Sequence, residues 1–344
     1  MTSVTFIIEN INRKAGTEKA TLDLAELLHV YYGFRISIIS VSSSVAEKHF
    51  ANYIKVYHLN VHSRFLNKIK ILRKSVEQIL NKEQSDYFIS TGHNFSCLIL
   101  PVFAKKVKTV AVEHISAKLV EPYYRFAQCV FYSKLYKIVV LTPDQIKKYS
   151  FVKDKTICIP NSIKQIIVDR KPEHMIFAAG RLEKVKGFDL LIDSLAKIKN
   201  EINGYEIRIC GDGVQREILQ KQIDDNGLEE IVKLLPNHDL YEEWQKAMLF
   251  ILSSRSESFG LAAAEAASAG IPCIVFNSSG PKYIFNDTKT VLIEQNSEIL
   301  AERIVEFISD SKLREENIIE CRKAIERFLP EKIVLQWREN VFNK

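Results

Sequence analysis

Short apolar runs alternate with amphipathic stretches along almost the whole chain. Runs at 4–8, 35–41, 53–59, 87–90, 109–113 and 138–141 have the length of buried strands, with helical patterns between most of them. The same rhythm returns at 175–179, 206–210, 232–235, 248–252 and 271–275, with helices predicted near 187–199, 214–226 and 240–247. Such alternation implies parallel sheets covered on both faces. The pattern breaks at 159–171, where IPNS leads into a charged stretch. The reading is two doubly wound α/β domains, 1–165 and 166–327, facing each other across a cleft, with a helical tail and a last segment at 328–344.

Composition narrows the class. At 344 residues the chain exceeds one ordinary core, and 47% hydrophobic with 26% charged residues is the balance of a soluble globular protein. No apolar run reaches the length of a membrane span. The first residues, MTSVTFIIEN, turn acidic after one strand-length run and do not read as a signal peptide. Six cysteines (97, 129, 158, 210, 273, 321) are scattered without CxxC pairs, and read as reduced core residues of a cytosolic protein. Charge is divided unevenly: residues 1–165 hold 24 Lys+Arg against 12 Asp+Glu, and residues 166–344 hold 24 against 30. An anionic partner for the first half follows, a membrane surface or nucleic acid. No nucleic-acid-binding motif accompanies the charge, which favours the membrane.

The candidate chemistry lies mainly in the second half. Glu257 and Glu265 are separated by seven residues in ILSSRSESFGLAAAEAASAGIPCIVF. Glu257 falls at the carboxyl end of a predicted strand, and Glu265 about one and a half turns into the helix that follows. Ligands of open α/β sheets bind in that crevice, and a helix start suits a phosphate. A glutamate near a helix start is favoured by the macrodipole anyway, so the pair needs company. AAGRLEKVKGFDLLIDSLAKI supplies it: Arg181 and Lys186 occupy a loop at another strand end, able to grip a diphosphate by a planar fork and a point charge. As a lone segment it reads equally as a solvated basic loop. Gly211 and Gly213 form a weak glycine-rich turn, which Asp212 as a helix N-cap explains as well. Leu234-Leu235-Pro236-Asn237-His238 ends the next strand on the ligand side, where backbone groups could meet a flat base.

In the first half, Arg13-Lys14-Ala15-Gly16-Thr17-Glu18 follows strand one without GxGxxG, which argues against a dinucleotide fingerprint. Glu113-His114 ends another strand on the same edge. No DxD occurs, so no carboxylate-held metal is suggested. Residues 61–82 predict a basic helix with Phe65, Ile69, Leu72, Val76, Ile79 and Leu80 as its apolar stripe and Arg64, Lys68, Lys70, Arg73, Lys74 and Lys82 as its charges. With Lys105, Lys106 and Lys108 and the aromatic stretches 123–126 and 131–136, it could seat on an anionic membrane, its stripe in the core and its charges facing lipid.

Together, GRLEKVKGFDLLIDSL, ICGDG, SESFGLAAAEAASAGIPCI and NSSGP, with AGTEKATLDLA more loosely, resemble the GT-B glycosyltransferases, and among them the large retaining family 4 (glycosyl transferases group 1). The resemblance implies two Rossmann-like domains and transfer of a sugar from a nucleotide sugar, a UDP-sugar first of all. By it Arg181 and Lys186 would hold the diphosphate, Glu257 would touch the donor sugar near its reacting carbon, and Glu265 would bind the ribose hydroxyls. Ser258, Phe259, Gly260 and Leu261 would face sugar and phosphate through N–H groups, with Gly211 and Asn237 at the nucleotide. His114 would match the cleft histidine beside the donor sugar, and Gly16 the acceptor-side glycine loop, which here reads Ala15-Gly16 in place of Gly-Gly. LLPN stands where Leu-Gly is usual at the base pocket. PEKIVLQWRENVF would cross back to the first domain.

The resemblance further implies no metal or other cofactor beyond the nucleotide-sugar co-substrate. It implies a carbohydrate acceptor, a lipid-linked intermediate of bacterial lipopolysaccharide, O-antigen or capsule, met at the inner face of the cytoplasmic membrane. Two rivals stay open on the same fold: a nucleotide-sugar epimerase, and a catalytically silent partner subunit.

Overall fold

The computed structural model describes residues 1–13, 15–42, 50–61, 65–114 and 120–342, and the side chains of Phe65 and Leu66 are outside that description. Lys14 and Arg64, named above, therefore lie outside the described residues, as does the side chain of Phe65. The chain divides into two compact units, one of residues 1–162 with 330–344 and one of residues 163–329.

The first unit is built on seven strands: β1 (Ser3–Ile8), β2 (Arg35–Ser40), β3 (Ile54–His58), β4 (Tyr87–Ser90), β5 (Lys108–Glu113), β6 (Lys137–Val140) and β7 (Thr156–Cys158). They run parallel in the order β3-β2-β1-β4-β5-β6-β7. β1 and β4 are buried along their whole length, and their sequences, SVTFII and YFIS, are mostly apolar, with the buried Thr5 hydroxyl paired to those of Ser37 and Ser85. The basic helix starts at Phe65 and ends at Glu83, and Leu72, Val76, Ile79 and Leu80 pack into the core while Lys70, Arg73 and Lys74 face solvent. The last segment belongs to this unit. Phe342 packs edge-on against Tyr87 and Phe34 at ring separations of 4.8 and 5.2 Å, and Arg338 lies over Tyr32.

The second unit carries β8 (Met175–Ala179), β9 (Glu206–Cys210), β10 (Val232–Leu235), β11 (Leu249–Leu252), β12 (Cys273–Phe276) and β13 (Leu292–Ile293), parallel, in the order β10-β9-β8-β11-β12-β13. Both sheets are doubly wound, as the alternation predicts. The strand expected at 271–275 begins two residues later, because Pro272 has no N–H to give a ladder. The Ala-rich segment forms the helix Leu261–Ser268, and burial of Ala263, Ala264, Ala266 and Ala267 lets it lie close on its neighbours.

Loops at the carboxyl end of this sheet touch backbone to backbone. A Cβ at Gly187 would stand 2.0 Å from the Ser253 carbonyl oxygen, one at Gly211 1.8 Å from that of Gly180, and one at Gly280 2.4 Å from the Phe259 nitrogen. Gly187 also sits at φ +66°. Gly204 offers a control, at φ +86° with nothing within 4 Å of its Cβ position. Gly204→Ala is expected to cost about 1 kcal/mol from the backbone alone, and Gly187→Ala about 3 kcal/mol or more. Urea midpoints of the two variants check this, and equal values would refute the close-approach account.

Candidate functional site

Between β8 and β11 the winding of the second sheet reverses, so the loops after these strands diverge and leave a crevice at their carboxyl ends. Two predicted residues meet there. Lys186 Nζ donates to Glu257 Oε1 at 2.5 Å, and Ser254 Oγ donates to the same oxygen at 2.8 Å. Their side chains are only 19% and 13% exposed, so the charges are partly withdrawn from water and each needs the other. The Glu257 carbonyl in turn accepts from the Gly280 N–H at 3.1 Å, fixing the loop to the one after β12.

A bidentate pair that the sequence did not reveal braces the Lys186 loop. Arg255 donates to both carboxylate oxygens of Asp189 at 2.6 and 2.8 Å, and Lys184 adds a third contact. Burial alone would push the Asp189 carboxyl up, but these hydrogen bonds hold it down at about 2. Arg181 is not part of that cluster: it is exposed and paired with Glu183 at 2.6 Å. Such a pair is worth little, so the guanidinium can turn to an anion at small cost.

Gly260, at φ +100°, leads into the helix Leu261–Ser268 and has no side chain to cap it. Its first-turn amides thus carry the partial positive charge of a helix start with no capping side chain to meet them. Phe259 is buried against Phe328, while Ser258, Leu261 and Glu265 are half-buried around this start.

On the other side of β8, Gly211 serves the backbone contact with Gly180, and its N–H donates to the Leu235 carbonyl at 3.0 Å. Asp212 is not the cap of the next helix. That helix begins at Arg216, and the Asp212 carboxylate instead accepts from the Asn237 N–H at 3.0 Å. The competing demand is the strand-end carbonyls, which Arg216 gathers: Gly211 at 2.7 Å and Leu235 at 3.0 Å. His238 hydrogen-bonds the Pro236 carbonyl through Nδ1 and Glu243 through Nε2, at 2.8 and 3.0 Å, and both contacts raise its pKa. With Cys210 these two form the trio among the described residues whose ligand atoms lie close enough for one cation. The ion pair of His238 and Glu243, with Arg208 beside Glu243, already accounts for the arrangement.

In the first unit, Gly16 opens the helix Gly16–Tyr32 after β1 and is exposed, and His114 follows β5. His114 Nε2 is buried with no hydrogen-bond partner among the described residues. It lines a small cavity with Thr21, Thr91, Asn161 and Trp337, and Thr91 Oγ1 is likewise unpaired. Burial pulls the imidazole down to about 4, so it is neutral at pH 7. The neighbouring Glu113 is fully buried, pushed up by burial, and accepts from Tyr132. Tyr132 thus points inward, so the predicted 131–136 stretch is not a surface patch. Cys129 departs from the core reading as well, being exposed.

His114 generates a pH dependence. The unfolded chain binds its proton near 6.5 and the folded unit only near 4, so acidification favours unfolding between those values. By pH 5 the penalty is about 2 kcal/mol, and His114→Gln is expected to remove it. Denaturant titrations at pH 7.5 and 5 check this, and an equal acid loss in both proteins would refute it.

Comparison with known proteins gives the class. Residues 161–324 match the family described as Glycosyl transferases group 1. An exopolysaccharide phosphotransferase of Streptomyces coelicolor is 28% identical over 280 residues, 77% of this chain but only 29% of that protein. A mutant of Staphylococcus aureus TarM, solved in complex with Fondaparinux, alpha-GlcNAc-glycerol and UDP, superposes with a TM-score of 0.87 over 100% of both chains at 13% identity. WaaG, a glycosyltransferase involved in lipopolysaccharide biosynthesis, gives 0.76 over 96% of this chain and 98% of its own at 16%. At these identities the structural likenesses establish the fold, which is GT-B.

Proposed function

We propose that this chain, which carries a glycosyl transferases group 1 domain over residues 161–324, moves a sugar from a UDP-sugar to a carbohydrate acceptor with retention of anomeric configuration. The observation that carries the reading is the Lys186–Glu257 pair at the switch point of β8 and β11, beside the uncapped start of the helix Leu261–Ser268. A diphosphate entering that crevice competes with Glu257 for the ammonium and accepts from the helix amides.

As the C1–O bond to the β-phosphate breaks, the sugar becomes oxocarbenium-like and negative charge grows on the leaving oxygen. Lys186, Arg181 and the helix start meet that charge without a metal. Glu257, freed from Lys186, faces the electron-poor sugar. The acceptor hydroxyl attacks C1 on the same face, and its proton passes to the departing phosphate oxygen. Glu265 takes the ribose hydroxyls, and Gly211 and Asn237 border the nucleotide. His114, neutral at pH 7, offers an uncharged hydrogen-bonding group for a sugar hydroxyl, and Gly16 serves the acceptor.

The acceptor in this reading is a lipid-linked intermediate of a bacterial surface polysaccharide, handled at the cytoplasmic face of the membrane. Support comes from the names of the exopolysaccharide and lipopolysaccharide proteins above, and from the basic first half of the chain. Among the described residues no helix is long and apolar enough to cross a membrane, so attachment in this reading is peripheral.

Lys186→Ala and Arg181→Ala are expected to lower turnover by two orders of magnitude or more with the fold intact, the scale of lost charge stabilisation in a transition state (~3 kcal/mol). UDP-sugars are expected to raise the melting temperature of the wild type, and Glu265→Ala to abolish that protection. Near-wild-type rates in both cation variants, or no donor protection from any nucleotide sugar, would refute the assignment.

A further inference from the structure

The helix Pro122–Phe131 packs Tyr124 and Ala127 against the core and carries a second apolar side that the core does not use. Its outward face carries Tyr123, Phe126 and Val130, exposed to 62%, 72% and 45%, with Pro122 and Cys129 exposed beside them. Positions 122/123, 126 and 129/130 recur at helical spacing, so they form one stripe. The polar members face inward. Gln128 is fully buried and reaches the Tyr132 hydroxyl at 3.3 Å and Glu113 at 3.5 Å. Arg125 donates to Gln128 Oε1 at 2.8 Å and lies over the rings of Tyr149 and Phe151. The helix is thus held on its core side by hydrogen bonds and by the packing of Tyr124 and Ala127, and it leaves a second apolar side to something else.

Charge identifies the occupant. Lys134 sits over the Phe131 ring, and Lys155 donates to the carbonyls of Ser133 and Leu135, so the carboxyl end of the stripe is rimmed by ammonium groups. The half of the chain to which they belong holds twice as many cations as anions. Apolar and aromatic side chains flanked by lysines suit the headgroup region of an anionic bilayer. At 1.5 Å per residue the ten-residue helix is ~15 Å long, which allows it to lie in that region and not to cross it.

We propose that the helix Pro122–Phe131 is the element by which this protein docks on an anionic membrane, with Tyr123, Phe126 and Val130 entering among the acyl chains. The surface deepens the lipid-linked acceptor reading and rests on it for its purpose, though not for its test. The basic helix Phe65–Glu83, with its stripe in the core, adds only long-range attraction.

Cys129 lies on the stripe and provides the probe. An NBD fluorophore attached there, with Cys129→Ser as the labelling control, is mixed with phosphatidylcholine vesicles containing or lacking phosphatidylglycerol. A blue shift with the anionic vesicles is expected, weakened by salt. Phe126→Asp, followed by co-sedimentation of unlabelled protein, is expected to lower partitioning about tenfold or more while donor-induced thermal protection stays unchanged. No binding to anionic vesicles, equal binding to neutral ones, or concentration-dependent dimerisation abolished by Phe126→Asp would each overturn the proposal. Vesicle binding without any donor protection would leave the surface standing and remove the transferase reading instead.

Discussion

Backbone pressed on backbone is the constraint from which the second unit's site follows. The loops after β8, β9 and β11, and the turn after β12, meet where no Cβ fits, at Gly187 on Ser253, Gly211 on Gly180 and Gly280 on Phe259. Side chains are excluded from these seams, so the loops hold one arrangement and their functional groups project from fixed points. Lys186 and Glu257 come from opposite sides of the switch point, yet they meet with one proton's breadth between them. The bidentate Arg255–Asp189 contact then holds the Lys186 loop against the β11 loop from the far side.

The two units meet their polar demands differently. In the second, partly buried charges are paired, so the site is electrostatically closed until an anion competes for Lys186. In the first, burial works against charge at the strand end: desolvation leaves His114 neutral, and the Glu113 carboxyl beside Tyr132 is pushed up. A neutral lining suits hydroxyl groups and a paired cation suits a diphosphate, which is the chemical division the proposed reaction needs.

Much of this was legible in the sequence. Mostly apolar runs locate the long strands, because a strand buried on both faces keeps few polar side chains, such as Thr5 in β1 and Ser37 in β2. β7 and β13, of three and two residues, were missed: they are too short to form a run, and their pairing is decided by neighbours. Lys186 and Glu257 could be placed from strand ends and topology alone. The Asp189–Arg255 brace and the part played by Ser254 could not, since loop side chains choose partners by three-dimensional proximity. Asp212 shows the same limit. It has the residue type and position of a helix cap, and it lost that role to the Asn237 amide across the sheet edge. The aromatic stretch at 123–126 is readable by composition, but the helix Pro122–Phe131 that carries it and its outward apolar face are not, because composition fixes neither a helix nor which way its face looks.

The placement of Phe342 against Tyr87 and Phe34 has a consequence for how the protein is made. The core of the first unit includes side chains encoded after the whole of the second. On a ribosome, residues 1–162 emerge without the aromatic plug that closes their core, whereas residues 163–329 are complete once they clear the exit tunnel. The second unit is therefore the first that can reach its native packing, and the earlier-synthesised one must wait, partly open, for the last helix to arrive.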